Sequence, residues 1–212
     1  MKEQQAAVSH VFGNAAQVYL EKFADLSAFS AGFNYLANHL QEQPQILDLG
    51  CGPGNSSKAL LQFKSTAKIT GIDLAPQMIA LAQKEVPQAN FKTGDILDLD
   101  FNQQSFDGII AGFCLPYLDL NEGKQLINNA VELLKGKGVL YVSTMVSAKT
   151  EAILSQSSSG KGPKVRMQYY AENDLKALVT QNGLKIGFEE KVPIPENPRI
   201  GLYDCVLVCH KI

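Results

Sequence analysis

The sequence predicts an α/β fold, a Rossmann-like, mostly parallel sheet with helices on both faces. Three observations predict it. Short apolar runs at 46–49, 68–73, 91–93, 106–112 and 138–143 alternate with stretches of helical spacing, the pattern of βαβ units with right-handed crossovers. The first run passes directly into the glycine segment Gly50-Cys51-Gly52-Pro53-Gly54. The second ends on a carboxylate, Asp73, where an open α/β sheet binds ligands at the carboxyl ends of its strands.

Taken in order, residues 14–40 place Val18, Phe23, Leu26, Phe29, Phe33, Leu36 and Leu40 close to helical spacing, and Pro44 ends that region. The strand at 46–49 follows. A helix is expected over 56–63, with Asn55 or Ser56 as its cap. The strand at 68–73 leads to a helix over 76–86 with proline in its first turn. Strands at 91–93 and 106–112 come next, then a helix over 121–134 and the strand at 138–143. Residues 145–168 hold Ser155, Ser157, Ser158, Ser159, Gly160, Gly162 and Pro163, a loop composition that reads as a variable lid. A helix over 171–181 stops at Asn182-Gly183. The last two strands, 184–192 and 202–209, are joined by a connection too short for a crossover helix and are expected to pair antiparallel.

Composition narrows the function. At 212 residues the chain suits one domain, with 1–40 as a helical cap and 145–168 as a substrate lid. Apolar residues are 45% and charged residues 19%, which excludes a disordered chain. A net charge of −2 provides no global field for a phosphate backbone, so no nucleic-acid partner is expected. The longest apolar stretch, 109–118, is too short to span a bilayer and contains Gly112 and Pro116, so no membrane partner is expected either. The start lacks the apolar core of a signal peptide. Four cysteines and three histidines fall at no metal-ligand spacing, and a cytoplasmic location without a metal is the expectation. Nothing in the pattern points to a particular oligomer.

The glycine segment departs from the dinucleotide fingerprint G-x-G-x-x-G, because Asn55 stands where its third glycine belongs and Gly54 comes one residue early. Asp48, just before the glycines, would repel a pyrophosphate but suits a ligand with a positive amino group. Asp73 is placed to accept hydrogen bonds from ribose hydroxyls, and Asp95 from an exocyclic amine. Together these residues describe a nucleoside joined to an amino acid.

The string Ile46-Leu47-Asp48-Leu49-Gly50-Cys51-Gly52-Pro53-Gly54, with Gly71-Ile72-Asp73, Gly94-Asp95 and Ser105-Phe106-Asp107-Gly108-Ile109-Ile110, resembles the class I S-adenosylmethionine-dependent methyltransferases. Tyr169-Tyr170, Leu175 and Asn182-Gly183-Leu184 also match that pattern. The resemblance implies a seven-stranded sheet whose last strand is inserted antiparallel between strands five and six. It implies S-adenosylmethionine as cofactor and S-adenosylhomocysteine as product. It assigns the methionine part to Gly50, Gly52 and Gly54, its ammonium to Asp48, and the ribose to Asp73. Leu74 and Met78 would line the adenosine, Asp95 and Ile96 the adenine, and Gly112, Phe113 and Cys114 the sulfonium. Ala75 and Leu99-Asp100-Phe101 depart from common family residues without touching that logic. The opening Val11-Phe12-Gly13-Asn14-Ala15-Ala16-Gln17-Val18-Tyr19 resembles the malonyl-acyl-carrier-protein O-methyltransferase branch, which nominates Tyr19 at the amino-acid end of the cofactor.

In-line methyl displacement needs a base only if the acceptor must lose a proton, and Tyr117 and His10 are the candidates. Cys114-Leu115-Pro116-Tyr117 lacks the Asn, Asp or Ser that amino-methylating DNA enzymes place before Pro-Pro-Tyr. The lid carries Lys149, Lys161, Lys164 and Arg166 against Glu151, which nominates Lys164 and Arg166 for an acidic group on a small-molecule substrate. The alternatives are a non-catalytic S-adenosylmethionine-binding sensor or partner subunit and, opposed by Asn55 and Asp48, a nicotinamide-dependent oxidoreductase.

Overall fold

Alternation along each central strand feeds two separate cores. The structure, a computed structural model, describes residues 2–155, 164–194 and 202–212. In β1 (Gln45–Leu49) and β4 (Phe106–Gly112), Leu47 and Ile109 join one core while Ile46 and Ile110 join the other. The first core is closed by α6 (Leu120–Leu133) and α7 (Glu172–Thr180), through Leu126, Ile127, Ala130, Leu175 and Val179. The second is closed by α3 (Ser30–Asn38) and α4 (Asn55–Phe63), through Phe33, Leu36, Ala59 and Leu60. Residues of both cores are almost fully buried, and each large side chain taken out of water contributes about 1.5–3 kcal/mol.

The remaining strands are β2 (Lys68–Asp73), β3 (Asn90–Thr93), β5 (Leu134–Ser147), β6 (Glu151–Ser155), β7 (Val165–Ala171), β8 (Leu184–Pro193) and β9 (Tyr203–Lys211). The parallel run is β3-β2-β1-β4-β5. β9 then pairs antiparallel with β5 along Val139–Val146, and β8 pairs antiparallel with β9. The last strand therefore lies antiparallel between the fifth strand and β8, as expected.

The strand count differs from expectation, with nine strands among the described residues rather than seven. The two extra ones, β6 and β7, pair antiparallel across the segment 145–168 read as loop, β7 running on to Ala171. β7 joins the sheet only through Val146 and Ser147, beyond the end of β4. The serines and glycines that dominated the reading of that segment are mostly residues 156–163, which lie outside the described residues, as does Lys161.

Strand order reverses between β1 and β4, so their carboxyl ends open a crevice. Two further helices, α1 (Lys2–Asn14) and α2 (Ala16–Phe23), lie over it, and α5 (Pro76–Glu85) joins β2 to β3. The predicted side-chain cap on α4 is absent. Gly54 takes that place at φ 87°, and Asn55 Nδ2 instead donates to Phe23 O at 2.7 Å. α6 does carry a full capping box between Asp119 and Glu122, the kind of feature whose loss costs about 1 kcal/mol. Among the described residues no helix is long and apolar enough to cross a membrane.

Candidate active site

The loop after β1 bends because Gly50, Gly52 and Gly54 all take positive φ, at 66°, 52° and 87°. This turn is tied to the end of β2. Gly52 N donates to Asp73 Oδ2 and Ala75 N to Asp73 Oδ1, each at 2.9 Å, while Cys51 N donates to Ile72 O at 3.0 Å. Asp73 is thus oriented by backbone donors, and each carboxylate oxygen keeps a lone pair for a ligand. Past β3, Asp95 Oδ1 accepts from Leu97 N at 2.9 Å, and its Oδ2 accepts from Gln5 Nε2 of α1 at 2.8 Å. Ser9 Oγ donates to Leu74 O at 3.1 Å, a second tie between α1 and the crevice.

These residues enclose a narrow cavity of about 90 Å³. It is lined by Tyr19, Gly50, Gly52, Asp73, Leu74, Met78, Asp95, Ile96, Gly112, Phe113, Cys114 and Tyr117, twelve of the nominated residues brought together. Gln5, Val8, Ser9, Phe12, Ala75 and Leu118 complete the wall. The four from α1 escaped the sequence reading because 2–14 has little apolar periodicity; only Val11 and Phe12 stand out there.

Five nominated residues are placed elsewhere. Asp48 is buried beneath the loop, where its Oδ2 accepts from Ser57 Oγ at 2.6 Å. Gly54 points toward Val86 and Phe91, so its role is to shape the turn. His10 stands exposed on α1 beside Asn14 Nδ2 at 3.0 Å and does not line the cavity, so it is not retained as a base. Lys164 is exposed just before β7, and Arg166 turns to Gln168 Oε1 at 2.9 Å. The residues of β7 that face inward are Val165, Met167 and Tyr169, so alternation directs Arg166 away.

A second, roomier cavity of about 440 Å³ adjoins the first. The two share Phe12, Tyr19, Gly50, Gly52, Gly112, Phe113 and Tyr117. Phe113 holds φ 55°, a strained conformation for a residue with a side chain, fixed by its N–H to Ser143 O at 2.9 Å. Its ring packs edge-on against Phe29 at 5.4 Å. Phe12 packs edge-on against both Tyr19, at 5.6 Å, and Tyr117, at 4.8 Å.

Electrostatics here are negative. Burial pushes Asp48 up to about 7 despite the Ser57 hydrogen bond, and the nearby Asp73 charge adds to the shift. Asp73 itself is raised by burial. No cation acts on either carboxylate among the described residues. Such a site favours a ligand with positive charge and opposes a pyrophosphate. Burial also raises Cys114 to about 12 and Tyr19 to about 12, and raises Tyr117 further. Cys114 is therefore a thiol rather than a nucleophilic thiolate, and Tyr117 is a neutral phenol with no capacity as a base near neutral pH.

The donor set fits S-adenosylmethionine. Gly52 faces the cavity, with only Tyr19 Cε1, at 4.0 Å, near a built Cβ, so a side chain there would occupy ligand space. Asp73 offers acceptors for a ribose, Leu74, Met78 and Ile96 an apolar slot for a base, and the buried carboxylates a complement to a cationic amino-acid end.

Comparisons with known proteins agree. Residues 46–138 match the family model of a methyltransferase domain. Trans-aconitate 2-methyltransferases from Escherichia coli O157:H7 (strain EC4115 / EHEC) and Shigella flexneri serotype 5b (strain 8401) are 40% identical over 103 residues, 49% of this chain and 40% of theirs. The chain thus spans about 40% of the length of these curated relatives. Among solved structures, the 1,6-didemethyltoxoflavin-N1-methyltransferase of Burkholderia thailandensis superposes with a TM-score of 0.79 at 21% identity, over 99% of this chain and 89% of that one. That structure holds 1,6-didemethyltoxoflavin and S-adenosylhomocysteine. A SAM-dependent methyltransferase of Methanosarcina mazei superposes with a TM-score of 0.71 at 21% identity, covering 84% and 97%. At that identity the likeness is one of fold. Glycine loop, acidic strand end, sheet order and the match over 46–138 converge: the chain is similar in fold and motif to the class I S-adenosylmethionine-dependent methyltransferases.

Proposed function

We propose that this protein transfers a methyl group from S-adenosylmethionine to a small, largely apolar acceptor held in the larger cavity. The observation that carries this reading is the shared wall between the two cavities, where Gly50, Gly52, Gly112, Phe113 and Tyr117 face both. A donor in one and an acceptor in the other would meet there with water excluded by Phe12, Tyr19 and Phe113. S-adenosylmethionine supplies an activated methyl group on a sulfonium. Gly50 and Gly52 let the backbone approach it, Asp73 orients the ribose, and Asp95 with Ile96 receives the base. Asp48 acts from beneath the loop through its charge. Holding both partners in contact and in line is worth up to about 7–11 kcal/mol, so no base is required for an acceptor that already carries a lone pair.

Much of the larger cavity's lining comes from 1–40 and 145–168, the expected cap and lid, and the glycine loop, Phe113 and Asp204 add to it. Phe12, Phe23, Leu26 and Phe29 come from the first, and Met145, Ser155, Val165 and Met167 from the second. Small-molecule acceptors are also what the names of the trans-aconitate and didemethyltoxoflavin methyltransferases state of those proteins. An acidic acceptor draws support from the first name but none from Lys164 and Arg166, which do not line the cavity.

The test is transfer of labelled methyl from S-adenosylmethionine to pooled small acceptors, with Phe113→Ala as control. Transfer that falls at least tenfold in the variant supports the reading. Tight cofactor binding with no transfer to any pool would favour the non-catalytic sensor.

A further inference from the structure

The acceptor cavity carries a negative charge that the reading above leaves unused. Asp204 of β9 sits opposite Met145 of β5, so both side chains leave the same face of the sheet, and both line the cavity. One register position deeper on that face, Glu190 of β8 lies opposite Val206, and its Oε2 is buried with no hydrogen-bond partner. Neither carboxylate enters a salt bridge among the described residues, where the cations near this end of the sheet are engaged with Glu172 and Glu189. Burial raises the Asp204 carboxyl, to about 6, and among the described residues no cation acts on it. Among the described residues the other charged members of the lining, Lys22 and Asp25, are exposed and opposite in sign. The interior wall is aromatic, with Phe23, Phe29, Phe113 and Tyr169. Aromatic faces and a half-buried carboxylate both attract a cation, and a carboxylate taken out of water repels an anion strongly.

Resting on the proposed methyl transfer, we infer that Asp204 is the specificity-determining residue of the acceptor cavity, and that it binds a protonated nitrogen on a planar acceptor. The aromatic wall holds the ring system, and the carboxylate fixes which end enters first. An acceptor with a carboxylate at that position is rejected, the reverse of the preference expected from a lysine-rich lid.

The experiment measures binding to full-length protein saturated with S-adenosylhomocysteine at pH 7.5. Its probes are matched pairs of planar aromatics that differ only in an alkylammonium or a carboxylate: tryptamine against indole-3-propionate, and 2-naphthylmethylamine against 2-naphthylacetate. The ammonium member of each pair is expected to bind at least tenfold more tightly. Asp204→Asn should reduce that ratio to threefold or less, and Asp204→Glu should keep most of it. The affinity for S-adenosylhomocysteine and the melting temperature serve as folding controls for both variants. Equal or tighter binding of the carboxylates, a ratio that survives Asp204→Asn, or no binding of either member would overturn the inference. Failure of S-adenosylhomocysteine itself to bind would instead overturn the proposed function.

Discussion

Among single residues, Asp48 is the most heavily loaded. Its folded pKa of about 7 lies above the ordinary 3.8, so the folded chain keeps a proton that the unfolded chain releases. Stability therefore falls as pH rises from about 4 to about 7, and above that the full cost, on the order of 4 kcal/mol, stands. Asp48→Asn should raise the melting temperature at pH 8 and leave it nearly unchanged at pH 4. It should also weaken S-adenosylmethionine binding, since a cationic ligand needs that charge. An equal shift at both pH values in thermal melts would contradict the role given to burial. Gly54→Ala tests the turn itself, because a Cβ at φ 87° would sit 3.1 Å from Val86 Cγ2. A cost of about 1–2 kcal/mol is expected, or a fall of roughly 2–8 °C in melting temperature. Tyr117→Phe should change the methyl-transfer rate by less than about fivefold and leave its pH profile intact, as the phenol stays neutral. Asp73 was readable from sequence because the end of a parallel strand has a fixed place in the crevice. His10 was not, since its spacing says nothing of which face of α1 turns outward.

Elements were legible in proportion to their apolar pattern. β2 and β4 fall on their predicted bounds, and α5, α6 and β8 lie within a residue or so. α1 was expected only as part of a helical cap over 1–40, and its lining residues were not named, because its surface over the crevice is built from Gln5, Val8, Ser9 and Phe12, a half-polar face without hydrophobic periodicity. The β6–β7 hairpin was missed because Ser-rich and Gly-rich composition outweighed the alternation of Val165, Met167 and Tyr169. α1 also yields a prediction of motion. α1 covers the cavity and is tied to its rim through Gln5 and Ser9, so it is expected to lift as the cofactor enters or leaves. Gln5→Ala removes the hydrogen bond to Asp95 and should speed S-adenosylhomocysteine dissociation severalfold in stopped-flow measurements. An unchanged dissociation rate would mean that α1 is no gate.

On the scale of the whole molecule, the order of the sheet follows from rules that act on sequence alone. Consecutive βαβ units cross over right-handed, and the short final connection forces an antiparallel pair. The cofactor half of the site follows from that order, because it lies where β1 and β4 diverge. The proposed acceptor half does not, because it draws on α1, α2, β5, β7 and β9 at once, and no local pattern tells which residues of distant segments will meet. Asp204 is the plainest case, an ordinary strand residue until β5 places it beside Met145. The central claim is that this crevice holds S-adenosylmethionine through Asp73. Calorimetric titration with S-adenosylmethionine, S-adenosylhomocysteine and NAD, on the wild-type protein and on Asp73→Ala, tests it most directly. The account predicts micromolar one-to-one binding of the first two, at least tenfold weaker in the variant, and no binding of NAD. Binding of NAD alone, or S-adenosylhomocysteine affinity unaffected by Asp73→Ala, would contradict it.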